Sequence, residues 1–185
     1  MTTDQLAEQV CTDIRSGLLS CDPGQLDGLV ADILAADQIA LYGVGREGLM
    51  MKALAMRLMH LELKASVVGD MTTPALGGGD LLIVSAGPGH FATVDALVTV
   101  AREAGASSIC FTAQPDGPVP QRVTRVVTVP VQTMADAESA TGSVLPMGSQ
   151  YEIVLLLLGE ILVYTLGQRL GLSAADMARN HTNLE

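Results

Sequence analysis

Leu41-Tyr-Gly-Val-Gly-Arg-Glu-Gly-Leu49 runs directly into Met50-Met-Lys-Ala-Leu-Ala-Met-Arg-Leu-Met-His60. Together they read as a strand, a glycine turn and a long helix. Gln38-Ile-Ala-Leu-Tyr42 is short and mostly apolar, as a parallel strand buried on both faces should be. Gly43, Gly45 and Gly48 permit a tight turn and a close approach of the backbone to whatever sits above the strand end. From Leu49 onward almost every residue is a good helix former, so the helix is expected from there. Such a junction points unpaired N–H groups and a positive dipole end at one place, which favours an anion, typically phosphate. Arg46 in the turn adds a charge-assisted contact.

Outward from this stretch the chain alternates. Leu6, Val10, Ile14 and Leu18 recur at helical spacing over residues 2–19, and a second helix is expected over 25–35. Further strands are expected at 64–69, 80–85, 107–112 and 125–130, with a crossover helix over 91–105. Residues 70–76 read as a loop or short helix, and 132–146 as a long loop of the kind that usually serves function. A long apolar helix follows over 147–170, then a short one capped by Ser173 with Asp176 three residues on. Strands alternating with helices imply right-handed βαβ units: an α/β fold, a three-layer αβα sandwich around a five-stranded parallel sheet. Ligands of such sheets lie beyond the carboxyl ends of the strands, at the topological switch point. The glycine turns at residues 43–48 and 86–89 would both lie there.

Composition narrows the function. A length of 185 residues suggests one domain, with residues 1–36 and 147–185 supplying terminal helices. A net charge of −10 argues against nucleic-acid binding, which needs basic surface. The cysteines, Cys11, Cys21 and Cys110, form no CxxC pair, which points to a reducing, cytoplasmic setting without a disulfide framework or structural zinc. Cys110 sits in an apolar run and reads as core. Glu152 and Glu160 interrupt the greasiest segment, which argues for a buried or interface helix and against a membrane span. Gly43, Gly45 and Gly48 match a dinucleotide spacing, but Arg46 and Glu47 crowd the place of a pyrophosphate.

Several of these segments resemble one family. Gly-Val-Gly-Arg-x-Gly, the Ala-Met-Arg-Leu-Met-His-Leu run, Val-Val-Gly-Asp-Met-Thr-Thr-Pro and Gly-Asp-Leu-Leu-Ile are similar to the sugar isomerase (SIS) domain with its flavodoxin-like sheet. The 6-phospho-3-hexuloisomerase branch is the most similar. Leu145-Pro-Met-Gly-Ser-Gln-Tyr-Glu152 and the tail from Arg179 to Glu185 carry the likeness to the end of the chain. The resemblance implies isomerisation of 3-hexulose 6-phosphate to fructose 6-phosphate through an enediol, with no metal or cofactor. Glu152 is then the expected base, set against the plainer reading of a solvated carboxylate at a helix start. His181 is its expected partner, set against a loose tail residue. His60 reads more readily as a core or interface histidine than as a catalyst.

Expected substrate contacts are Gly45, Arg46, Glu47, Ser85, Gly87, Gly89, His90 and Thr93. Here the chain departs from the family pattern. The family has Ser where this chain has Glu47, and Ser-Gly-Ser-Gly-Glu-Thr where it has Ala86-Gly-Pro-Gly-His-Phe91. Three hydroxyls are gone and Pro88 removes an N–H. Ser85 and Thr93 lie one position off the matching places. A carboxylate at Glu47 would repel a phosphate dianion unless Arg46 or His90 offset it. Two readings follow: an isomerase with a reshaped phosphate site, or a non-catalytic sugar- or metabolite-binding module. The apolar terminal helix and the Met-rich helix further suggest a homodimer or homotetramer, with His181 reaching a neighbour's pocket.

Overall fold

The computed structural model describes residues 1–136 and 143–184; the middle of the expected 132–146 loop lies outside them. In chain order the elements are α1 (Thr3–Ser20), α2 (Gly24–Ala35), β1 (Ile39–Gly43), α3 (Gly45–His60), β2 (Ala65–Val67), β3 (Leu81–Ser85), α4 (Ala92–Glu103), β4 (Ser107–Thr112), β5 (Arg125–Thr128), α5 (Ser149–Leu170) and α6 (Ala174–Arg179). Short 3-10 turns occur at Pro120–Arg122 and Met134–Asp136. All strand pairs are parallel, and the order is β2-β1-β3-β4-β5.

Strand periodicity divides the core into two layers. Leu81, Ile83, Ile109 and Phe111 face α2, α3 and α5 on one side. Leu82, Val84 and Cys110 face α4, through Val94, Val98 and Ala101, on the other. Side chains alternate across a strand, so a strand buried on both faces is apolar throughout, as β3 is. The expected three-layer sandwich is therefore present. α5 is long and apolar enough to cross a membrane by composition alone. Its apolar residues have another use here: α1, α2 and α3 all pack against it, and Val154, Leu155, Leu158, Leu162 and Leu166 are buried. Burial pushes the Cys110 thiol up to about 12, in keeping with a core residue.

Of the two alternatives for residues 70–76 the loop is present, and the last helix, Ala174–Arg179, opens on the expected Ser173–Asp176 capping box. The second strand is shorter than expected, only Ala65–Val67. Most consequential, α3 begins at Gly45 rather than Leu49. Gly43 and Gly48 allow this: a methyl on Gly48 would stand 2.5 Å from the Gly43 carbonyl oxygen. With no side chain on either residue, the first helical turn rests on the strand end. Arg46 and Glu47 thereby become helical residues with fixed directions.

Candidate active site

β1 and β3 lie side by side, with Gly43 opposite Ser85, and their continuations diverge towards β2 and β4. This is the switch point of the sheet, and a cleft of about 490 Å³ opens above it. Val44, Gly45, Arg46 and Glu47 form one wall, Phe91 and Met134 another, and Met147 to Ser149 with Tyr151 and Glu152 a third. Thr133 and Met134 approach Gly148 closely: a methyl on Gly148 would lie 2.5 Å from the Met134 nitrogen. Gly148 takes the left-handed conformation, with φ 80°, that glycine accommodates at no steric cost. Asp13 of α1 fixes the same wall, accepting from the Ser143 hydroxyl at 2.8 Å and the Val144 N–H at 3.0 Å. Both described ends of the long loop thus bear on the cleft.

Glu152 stands in the first turn of α5, where the helix dipole favours a carboxylate. It is buried and paired with Arg46, whose guanidinium is largely exposed at the mouth. The two were expected at the site separately, and the structure joins them.

Glu47 does something the sequence did not suggest. Instead of projecting from a turn, it points inward from α3 and is 6% exposed. One oxygen accepts the Ser85 hydroxyl at 2.5 Å and the Gly87 N–H at 3.0 Å. The Ser85 oxygen also lies 3.1 Å from the Tyr151 hydroxyl. A serine hydroxyl has one proton, so with Glu47 ionised the chain runs Tyr151 O–H to Ser85, and Ser85 O–H to Glu47. Each bond to the carboxylate is worth about 1.5–3 kcal/mol, which offsets only part of the cost of burying it. Burial nevertheless pushes the Glu47 carboxyl above its ordinary value; the Ser85 and Gly87 bonds pull against the rise, and Glu152 nearby adds to it. Burial, and then the Glu47 charge, push the fully buried Tyr151 phenol well above its own.

The remaining expected contacts separate into three groups. Ser85 and Gly87 border the site but face Glu47 rather than the open cleft. His90, just before α4, and Thr93, in its first turn, are exposed and lie off it. Gly89 has a structural part: its N–H donates to Ala86, and its φ of 82° lets Gln114 and Gly117 pack against it. His60 and His181 stack at 5.4 Å between ring centroids, at the far end of α3. Asn180 donates to the His60 carbonyl at 3.0 Å and ties the tail there. Within one chain, then, His181 and Glu152 are not brought together. Tyr151 and Phe91 were not singled out as contacts. The available signal was Tyr151 itself, a hydroxyl on an otherwise greasy helix that must find a partner when buried.

A family model for the SIS domain matches residues 32–158, which takes in the cleft from β1 to the first half of α5. The chain belongs to the SIS domain family. Among curated relatives of this SIS protein is a 3-hexulose-6-phosphate isomerase of Mycobacterium gastri, 35% identical over 89% of this chain and 82% of that one. Another 3-hexulose-6-phosphate isomerase, from Bacillus subtilis, is 29% identical over the full length of both. Among solved structures, a hypothetical protein of Methanococcus jannaschii, for which 3-hexulose-6-phosphate isomerase is the inferred function, superposes with a TM-score of 0.84. It is 28% identical and covers 97% of this chain and 98% of its own. The five-stranded parallel sheet of this chain is thus an SIS fold, shared with that solved structure.

Proposed function

We propose that this SIS protein is a soluble, cytoplasmic isomerase that interconverts 3-hexulose 6-phosphate and fructose 6-phosphate. The observation that carries the reading is Glu152: a carboxylate at the switch-point cleft, held by Arg46, in a chain whose relatives are named for this reaction. Glu152 takes the proton from C2, beside the C3 carbonyl. The electrons form a C2–C3 enediol. The carbon-bound proton returns at C3, the O2 hydroxyl proton passes to O3 and the carbonyl moves to C2, so nothing is gained or lost overall. Arg46 orients the base and, from its exposed position, meets substrate oxygens.

Fructose 6-phosphate titrated against the protein should raise its melting temperature by mass action. At a hundred times Kd the gain is about 2.7 kcal/mol, or about 5–10 °C for a chain of this size. No shift at millimolar ligand would sink the phosphosugar reading. A shift without any interconversion detectable by NMR would favour the non-catalytic module, which the altered loop after β3 otherwise supports alone.

His181 serves this chemistry in a neighbouring subunit's cleft, since it is tethered to the end of α3 remote from its own. Exposed apolar side chains on α3 and α5, among them Leu49, Met56, Ile161 and Tyr164, supply a surface for a second copy. Light scattering should then find a dimer or tetramer at micromolar concentration. Mixed oligomers of Glu152→Gln and His181→Ala subunits should regain part of the activity each lacks, because some clefts then hold both wild-type groups. Equal inactivity in the mixture would overturn the placing of His181 in a neighbour's cleft, and full activity of His181→Ala alone would place it outside the mechanism.

A further inference from the structure

In the seat beyond β3, where a glycine turn would hold a phosphoryl group, the donors of the Ser85–Gly89 segment are already engaged. The Gly87 N–H goes to Glu47, Pro88 has none, and the Gly89 N–H goes to the Ala86 carbonyl at 2.8 Å. The Ser85 hydroxyl is also given to Glu47. The Gly87 carbonyl accepts from the Ala113 N–H at 3.0 Å and the Thr112 hydroxyl at 3.3 Å, so the turn is anchored from behind, and the Ala86 carbonyl, in the same peptide plane as the Gly87 N–H, is held by the Gly89 N–H. A nearly buried carboxylate therefore occupies the place of an anion, with an anion's hydrogen bonds.

We propose that Glu47 is the specificity-determining residue of this seat: its carboxylate is the resident anion, and a substrate phosphoryl group enters only as Glu47 takes up a proton. The proposal rests on the phosphosugar reading above. Two anions within hydrogen-bond reach and shielded from water cannot both stay charged. The groups facing Glu47 do not neutralise it. Ser85 comes from β3, the Gly87 N–H from the turn, Cys110 from β4, and Tyr151 and Glu152 from α5. Among the described residues lining the cleft the cation is Arg46, which is committed to Glu152 and mostly in solvent. Protonation reverses the role of Glu47. It then releases the Gly87 N–H and donates its own O–H to a phosphoryl oxygen. Burial already pushes this carboxyl upward, so the proton is taken within a pH range where a surface glutamate would stay ionised.

The test is calorimetry of fructose 6-phosphate binding to wild type, Glu47→Gln and Glu47→Ser, from pH 5 to 8, in buffers of different ionisation enthalpy. A sugar sulfate, which does not titrate in this range, serves as the second probe. Above the Glu47 transition wild type should take up about one proton more than Glu47→Gln with either probe. Its affinity should fall about tenfold per pH unit above the Glu47 transition. The variants should bind more tightly at pH 8, and with the sulfate they should show a flat profile. Equal proton uptake and parallel pH profiles in all three proteins would overturn the proposal and leave the phosphosugar reading intact. Absence of binding in all three at every pH would overturn both. Should the variants fold poorly, sulfate binding to wild type without proton uptake overturns the proposal by itself.

Discussion

Glu152→Gln is expected to lower kcat for hexulose phosphate isomerisation about 100- to 10,000-fold, with KM little changed. The range is that of a single positioned general base. Gln matches Glu in volume and still offers an oxygen to Arg46, so the cleft keeps its shape. What is lost is the capacity to take a proton. Arg46 loses its counter-charge, but its guanidinium is exposed enough for water to serve instead. Exchange of the substrate C–H for deuterium from solvent gives a second readout and should fall with kcat. A variant with full turnover and full exchange would remove Glu152 from the role of base.

Gly48→Ala should cost about 1–3 kcal/mol of stability, the usual range for overpacking. For a chain of this size that is a fall in Tm of about 2–12 °C. Two effects oppose each other. Alanine is the better helix former by about 1 kcal/mol. Against that, its methyl would stand 2.5 Å from the Gly43 oxygen and 3.1 Å from the Gly43 carbonyl carbon. Both are backbone atoms, so no rotamer change relieves the overlap and α3 must lift from β1. Gly78→Ala is the control. A methyl there meets open space and its φ is not positive, so the substitution should be neutral or stabilising by about 0.4–1 kcal/mol. If Gly48→Ala melted at or above the parent temperature, the close seating of α3 on β1 would not be the constraint described.

What the sequence discloses follows from which physical signals are local. Gly43, Gly45 and Gly48 after an apolar strand announce the junction, because the need for glycine is a property of the backbone itself. The doubly buried strands announce a parallel sheet through their continuous apolarity. The direction of Glu47 was not accessible in the same way. It depends on where the first helical turn lands, and that depends on two glycines meeting across strand and helix. Helix propensity favours a start at Leu49; tertiary contact sets it at Gly45. This shift of one turn converts an expected surface repulsion into a buried, hydrogen-bonded carboxylate. The histidines illustrate another limit. Stacking of His60 on His181 joins the end of α3 to the tail beyond α6, and no sequence spacing encodes it.

α3 has a further consequence as a measure of distance. Its 16 residues, at 1.5 Å each, separate the cleft at Gly45 from the histidine pair at His60 by about 22–24 Å. Glu152, paired with Arg46 at one end of this rod, and His181, stacked at the other, cannot meet by folding back. If turnover requires both, the working unit is the contact between subunits rather than the chain. Specific activity should then decline on dilution once subunits dissociate, and rate should depend on enzyme concentration with an order above one.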